Sequence, residues 1–300
     1  MRRLLVGFAF AVALSPRVMA DDAETCAKSS GEEALQACNS AIDSGKVTGH
    51  ALAVLYFNRG LEWQRKGDDD RAIADYGEAA RIDPNLVGAF NNLCSRYGDR
   101  GDYYTAAAYC DRAIAIDPNY APAYQNRCRA YGDAGEYDRA IADCDMAISL
   151  RPNYQLAYLS RGVANYRKNN FDRAIDDYSA AIRLDPTDLY ARKNRGFAYY
   201  RRKDFDLAIA DFNEAVRMDP RDSYARSSRG MAYLALDQLG RAITDFDDAL
   251  RLMPDNPHAY YARGLAKQRR GDTDGSDADI AAAKAIRDDI ADLFESYGVK

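Results

Sequence analysis

Six cysteines, two histidines and forty-six acidic residues are what this 300-residue sequence offers for chemistry. A nucleophilic site needs Ser, Cys or Thr beside a base and an orienting acid. No such set stands around His50 or His258, so no catalytic residue is predicted. Zinc needs closely spaced Cys and His ligands. Cys26, Cys38, Cys94, Cys110, Cys128 and Cys144 include neither a close pair nor a neighbouring His, so no metal or other cofactor is expected. Paired acids such as Asp247-Asp248 read as a solvated face rather than an acid–base couple. What remains for the cysteines is oxidation, and an even number in an oxidising compartment predicts three disulfides.

The first twenty residues point to that compartment. Arg2 and Arg3 precede an apolar run from Leu4 to Leu14, a break at Ser15-Pro16 and the small residues Val18 and Ala20, the pattern of a cleavable secretory signal over residues 1–20. A retained anchor is the alternative, but the run falls short of the about 20 residues that span a bilayer. No second run exists, so membrane insertion is not expected, and Cys26 is too far from the run for lipid attachment. Cleavage near Ala20 removes Arg2, Arg3 and Arg17 and no acid, which takes the net charge from −5 to −8. A nucleic-acid partner is therefore not expected. The predicted location is periplasmic or secreted. With 47% hydrophobic residues, 22 Tyr against one Trp and only nine Pro, the chain can bury a core made of many short, similar helices.

The elements that carry these residues repeat. Proline recurs 34 residues apart at Pro84, Pro118, Pro152, Pro186, Pro220 and Pro254. Aligned on it, the units are 53–86, 87–120, 121–154, 155–188, 189–222, 223–256 and 257–290, the last without the proline. Position 8 of each unit is small (Gly60, Cys94, Cys128, Gly162, Gly196, Gly230, Gly264), position 20 is Ala or Ser276, position 24 is large or Cys, and position 27 is always Ala. Spacings of four, three and four make one face of a helix. A Gly or polar turn near position 15 separates two helices, and Asp-Pro ends the second.

These marks resemble the tetratricopeptide repeat family, whose motif has small residues at positions 8, 20 and 27, an aromatic near 24 and Pro at 32. The resemblance covers about residues 53–290. It implies an all-α fold, a right-handed superhelical solenoid of about seven helix-turn-helix units with a groove lined by the first helix of each. Residues 21–52, with Ala34, Cys38 and Ala41, read as a degenerate capping hairpin. At the other end the seventh second helix, lacking its proline, is expected to run on through Ile280, Ile286, Ile290, Leu293 and Phe294, so that 291–300 ends a C-terminal capping helix; repeat arrays need such caps.

Two correlations run between positions. Position 7 is Arg in six units (Arg59, Arg127, Arg161, Arg195, Arg229, Arg263), and the same six have Asp at position 23 (Asp75, Asp143, Asp177, Asp211, Asp245, Asp279); the second unit has Leu93 and Tyr109 instead. Residues that change together suggest repeated structural ion pairs. Positions 8 and 24 trade volume: glycine faces a ring, and Cys faces Cys. This pairs Cys94 with Cys110 and Cys128 with Cys144, which leaves Cys26 for Cys38; crossed pairing such as Cys110 with Cys128 is the competitor among the fifteen connectivities six cysteines allow.

With the second helices spent on packing, partner recognition falls to first-helix positions 2, 5, 6, 9, 12 and 13, which the resemblance assigns to the groove. Position 6 supplies a ladder of amides, including Asn58, Asn92, Asn126 and Asn194, able to bond an extended peptide backbone or one another. From the fourth unit the groove positions turn aromatic and basic: Tyr166, Arg167, Tyr190, Lys193, Phe197, Tyr200, Arg201, Tyr224, Met231 and Tyr261. Rings beside arginines are typical of binding hot spots, and they also fit packing between units. The two-carboxylate clamp of chaperone-binding members is not reproduced: Lys193 is alone as a Lys at position 5, and no unit has Asn at position 9. The expectation is a non-enzymatic scaffold or adaptor of the bacterial cell envelope that binds a protein partner, as an extended peptide or helix, in the second half of the groove. The alternatives are an accessory subunit of an envelope enzyme or secretion complex, and a polysaccharide-binding module.

Overall fold

The computed structural model describes residues 16–296, so the expected signal peptide lies outside the described residues up to position 15. All described elements are helices, and they fall into two compact units, Met1–Ala134 and Gly135–Lys300. The first holds α1 (Pro16–Lys28), α2 (Glu32–Asp43), α3 (Gly49–Arg65), α4 (Asp69–Ile82), α5 (Val87–Asp99), α6 (Tyr103–Ile116) and α7 (Ala121–Asp133). The second holds α8 (Tyr137–Leu150), α9 (Gln155–Arg167), α10 (Phe171–Leu184), α11 (Leu189–Arg202), α12 (Phe205–Met218), α13 (Ser223–Ala235), α14 (Leu239–Leu252), α15 (Pro257–Arg269), α16 (Thr273–Ile286) and α17 (Ile290–Ser296).

Within each unit consecutive helices pack as hairpins, and hairpins stack. The small residues set the approach. Position-27 alanines Ala79, Ala113, Ala215, Ala249 and Ala283 have no solvent exposure, and the rings Tyr76, Tyr178, Phe212 and Phe246 are buried beside them. A Cβ built on Gly60 would sit 2.7 Å from Tyr76 Cε1, and one on Gly196 2.8 Å from Phe212 Cε1. Only glycine lets the two helices meet over a ring at that separation. Where Cys replaces both, the structure joins Cys94 to Cys110 with Cα atoms 5.4 Å apart. Cys26 and Cys38, 4.8 Å apart, staple α1 to α2, and Cys128 and Cys144 are disulfide-bonded too.

The turns are built from aspartates. Asp68, Asp102, Asp188, Asp222 and Asp272 each accept the backbone N–H three residues on, capping the helix that follows. Four of the six stop prolines follow an Asp, which has its own use: Asp83, Asp117, Asp185 and Asp219 accept the N–H two residues later, each at 2.9 Å, which closes the turn around the proline.

The position-7 arginines tie hairpins internally and to one another. Arg161, Arg195, Arg229 and Arg263 each bond the Asp at position 23 of their own repeat, at 2.5–2.7 Å. The free arm of each guanidinium reaches back to position 25 of the preceding repeat: Asp145, Ser179, Asn213 and Asp247, at 2.5–3.0 Å. In the first unit Arg59 bonds Asp75 and Asn39, and Arg127 bonds Asp111. Sequence reasoning found the intra-repeat half of this ladder and missed the backward half. The signal was present: where repeat two has Leu93 in place of Arg, position 25 of repeat one is Gly77. The position-23 aspartates Asp75, Asp177, Asp211, Asp245 and Asp279 are 3–6% exposed, and burial is tolerable only with the charge fully paired. Burial pushes the Asp177 carboxyl up. At Asp279 burial works the same way, but Arg263 and Lys267, whose Nζ is 2.8 Å away, hold it below its ordinary value.

The C-terminal end departs from expectation. The last second helix does not run on: α16 stops at Ile286, Arg287 adopts the extended backbone seen at the other stops, and α17 turns back onto α15. No proline is needed, because Ile290 (0% exposed) and Phe294 (2%) gain more by burial against Tyr261 and His258 than a continued, solvated helix would. Ile286, left outside, is 47% exposed. At the N-terminal end Glu62, 4% exposed, accepts the Gly31 N–H at 2.8 Å and fixes the α1–α2 turn to α3.

Candidate interaction groove

Positions 2, 6, 9 and 13 of a first helix lie on one stripe, because steps of four, three and four residues return to nearly the same angle. In the second unit that stripe reads Leu156, Ser160, Val163, Arg167 on α9; Tyr190, Asn194, Phe197, Arg201 on α11; and Tyr224, Ser228, Met231, Ala235 on α13. Its N-terminal lip is bare and apolar: Leu156 is 48% exposed, Tyr190 56% and Tyr224 59%. Leu156 was missed in the sequence because only aromatic and basic residues were counted, although it holds the same repeat position as the two tyrosines.

Several expected groove residues are packing instead. Phe197 meets Phe212 edge-on at 5.3 Å, Tyr166 meets Phe171 at 5.6 Å and Tyr200 meets Phe205 at 5.4 Å. Burial raises the Tyr200 hydroxyl pKa, as expected of a ring inside the hairpin. Tyr261 lies under Phe294, 4.7 Å between ring centres, and is covered by α17. Met231 is half-buried against the core of α13–α15. Lys193 Nζ is bound to Asp222 Oδ2 at 2.6 Å. Positions 5 and 12 therefore serve the stack, and the amphipathic stripe is narrower than the sequence suggested.

The amide ladder divides. In the first unit Asn126 donates to Asn91 Oδ1 at 3.0 Å, and Asn91 donates to Asn92 at 3.4 Å, so these amides bond one another. Asn58 is half-buried on α3. Asn194, in the second unit, keeps its Nδ2 buried without a protein partner, a donor left open in the middle of the stripe. At the other lip Arg201 lies 5.0 Å over the Phe171 ring and donates to Asn169, with no carboxylate, and Arg167 has no hydrogen-bond or ion-pair partner among the described residues. Among the described residues no cluster of three or more His, Cys, Asp or Glu side chains could hold a metal, and no helix is long and apolar enough to cross a membrane.

Family models of the tetratricopeptide repeat match residues 53–86, 127–189 and 161–227, and a TPR repeat model matches 230–271. The chain belongs to the tetratricopeptide repeat family. A search of curated proteins finds no match. Among solved structures, a tetratricopeptide repeat protein from Parabacteroides merdae ATCC 43184 is 20% identical, with 82% of this chain and 98% of that one aligned at a TM-score of 0.61. YrrB, described as a TPR protein with an unusual peptide-binding site, is 22% identical over 61% of this chain and 94% of its own, at 0.53. The Cut9–Hcn1 assembly of APC/C is 15% identical over 94% of this chain and 59% of that chain, at 0.64. At these identities the likeness is one of fold. As a tetratricopeptide repeat chain, it is an all-α solenoid whose first helices present the stripe described above.

Proposed function

We propose that this protein is a non-enzymatic interaction scaffold of the cell envelope, exported to the periplasm or secreted after cleavage near Ala20. It holds a segment of a partner protein, an extended peptide or a helix, on the first helices α9, α11 and α13. The observation that carries this reading is the row of bare apolar side chains, Leu156, Tyr190 and Tyr224, one per repeat at the same position in three consecutive repeats. A solvated ring at one site is unremarkable, whereas the same exposure three times in register is a surface shaped for contact. Asn194 adds an unpartnered donor in the same stripe. YrrB, with its peptide-binding site, supplies a chain of this fold for comparison. Disulfides support the oxidising compartment.

The test is affinity capture from the cell envelope with the mature chain and with Tyr190→Ala/Tyr224→Ala as bait, followed by mass spectrometry. A protein retained by the native chain and lost from the variant, at equal helicity, is the expected result. Retention by both baits refutes the groove, and recovery of glycan alone replaces it with a sugar-binding reading.

A further inference from the structure

Charge in the second unit is sorted by layer. The first helices α9, α11, α13 and α15 contain twelve Lys and Arg and no Asp or Glu. The second helices α8, α10, α12, α14 and α16 contain fifteen acids against seven bases. The chain is net acidic, so its positive charge is concentrated on the layer that bears the exposed stripe. Much of that charge is consumed, because Arg161, Arg195, Arg229 and Arg263 are bound to buried aspartates. Among the described residues, Arg192 also lacks a carboxylate but is half-buried and donates to the Pro186 carbonyl, whereas Arg167 and Arg201, at position 13, are exposed and bonded to no carboxylate.

The stripe therefore has two unlike lips. Positions 2 and 13 are eleven residues apart, about 16 Å along a helix. One lip is apolar, through Leu156, Tyr190 and Tyr224. The other is cationic, through Arg167 and Arg201, with the open Asn194 amide between them.

Resting on the groove reading above, we propose that the partner segment is acidic and amphipathic, with apolar side chains seated along the Leu156–Tyr190–Tyr224 lip and carboxylates along the Arg167–Arg201 lip. A basic segment would bring like charge to Arg167 and Arg201 and be repelled. A neutral apolar segment would fill one lip and desolvate two arginines at the other without a counter-charge, a cost that selects against it. A long polyanion is disfavoured in turn, since the acidic second-helix layer lies one helix away.

A phage-displayed library of random dodecamer peptides, panned against the full mature chain and against Arg167→Glu/Arg201→Glu, tests this. The expected result is enrichment of sequences that combine Asp or Glu with aromatic or aliphatic residues on the native chain, and loss of the acidic bias on the reversed one. Fluorescence anisotropy with a selected peptide should show binding weakened at least about tenfold by the double reversal, and weakened again by raised salt. Tyr190→Ala/Tyr224→Ala should weaken it as well. All four side chains are exposed, so circular dichroism serves as the folding control. Neutral or basic peptides that still depend on Tyr190 and Tyr224 would overturn the acidic partner and leave the groove reading intact. Selected peptides indifferent to all four substitutions would overturn both.

Discussion

Gly196→Ala should destabilise the array even though alanine is the better helix former. The new Cβ would stand 2.8 Å from Phe212 Cε1, 3.0 Å from Cζ and 3.2 Å from Cδ1. The ring has no room to retreat, since it is fully buried and Phe197 meets it edge-on at 5.3 Å. Overpacking of this kind costs about 1–3 kcal/mol. Replacing a helical glycine by alanine returns about 1 kcal/mol, so the net loss is about 1 kcal/mol. Phe212→Leu alone should cost about 1–1.5 kcal/mol through lost contact and a small cavity. The two together should cost less than their sum by about 1–3 kcal/mol, because the shorter side chain makes room for the methyl group and the helix gain is kept. Urea denaturation followed by far-UV circular dichroism measures the cycle, with the slope held constant so that local opening of single repeats is not mistaken for a change in stability. Additivity within about 0.5 kcal/mol would refute the claim that positions 8 and 24 exchange volume.

Three further outcomes are expected. Asp211→Asn, which strands the Arg195 guanidinium, should cost about 3 kcal/mol, whereas Arg195→Met with Asp211→Leu should be near neutral; the same urea titration decides. Cys94→Ala with Cys110→Ala opens a loop spanning 16 residues and should cost about 3 kcal/mol. Because both sulfurs are buried, thiol titration under mild reductant should find this bridge intact until the array opens. Burial, reinforced by Arg287 and opposed by Asp289, holds the His258 imidazole below its ordinary value of 6.5. The unfolded chain then takes up the proton first as pH falls, so the His258 contribution is complete above about pH 6.5 and declines as pH drops through the lower folded value. Hydrogen exchange of α17 at pH 7.5 and 5 should show added opening at low pH in the native chain, and His258→Gln should remove that component.

The period, the hairpins and the close-packed positions were legible because each depends on residue spacing alone. The groove was only partly legible. Tyr166, Phe197 and Tyr200 have the composition of a binding surface, yet their rings close on Phe171, Phe212 and Phe205 within their own hairpins. A sequence signal for this existed: Tyr at position 12 occurs with Phe at position 17 in repeats four and five, and Leu234 occurs with Leu239 in repeat six. The missing seventh proline misled in a different way. Helix termination there is decided by burial of Ile290 and Phe294, residues beyond the stop, which no inspection of the stop itself reveals.

The backward arm of each position-7 arginine gives the array a grammar for growth. A repeat copied in tandem carries both its arginine and its position-25 acceptor, so the copy inserted behind its original finds Ser179, Asn213 or Asp247 already facing it. Shuffling breaks the rule at one joint: a repeat bearing the arginine, placed after repeat one, would meet Gly77 and no acceptor. Lengthening by duplication within repeats four to six thus keeps every arginine paired, whereas recombination across the first joint leaves one guanidinium arm without its acceptor. The repeats are interchangeable in shape but ordered in charge.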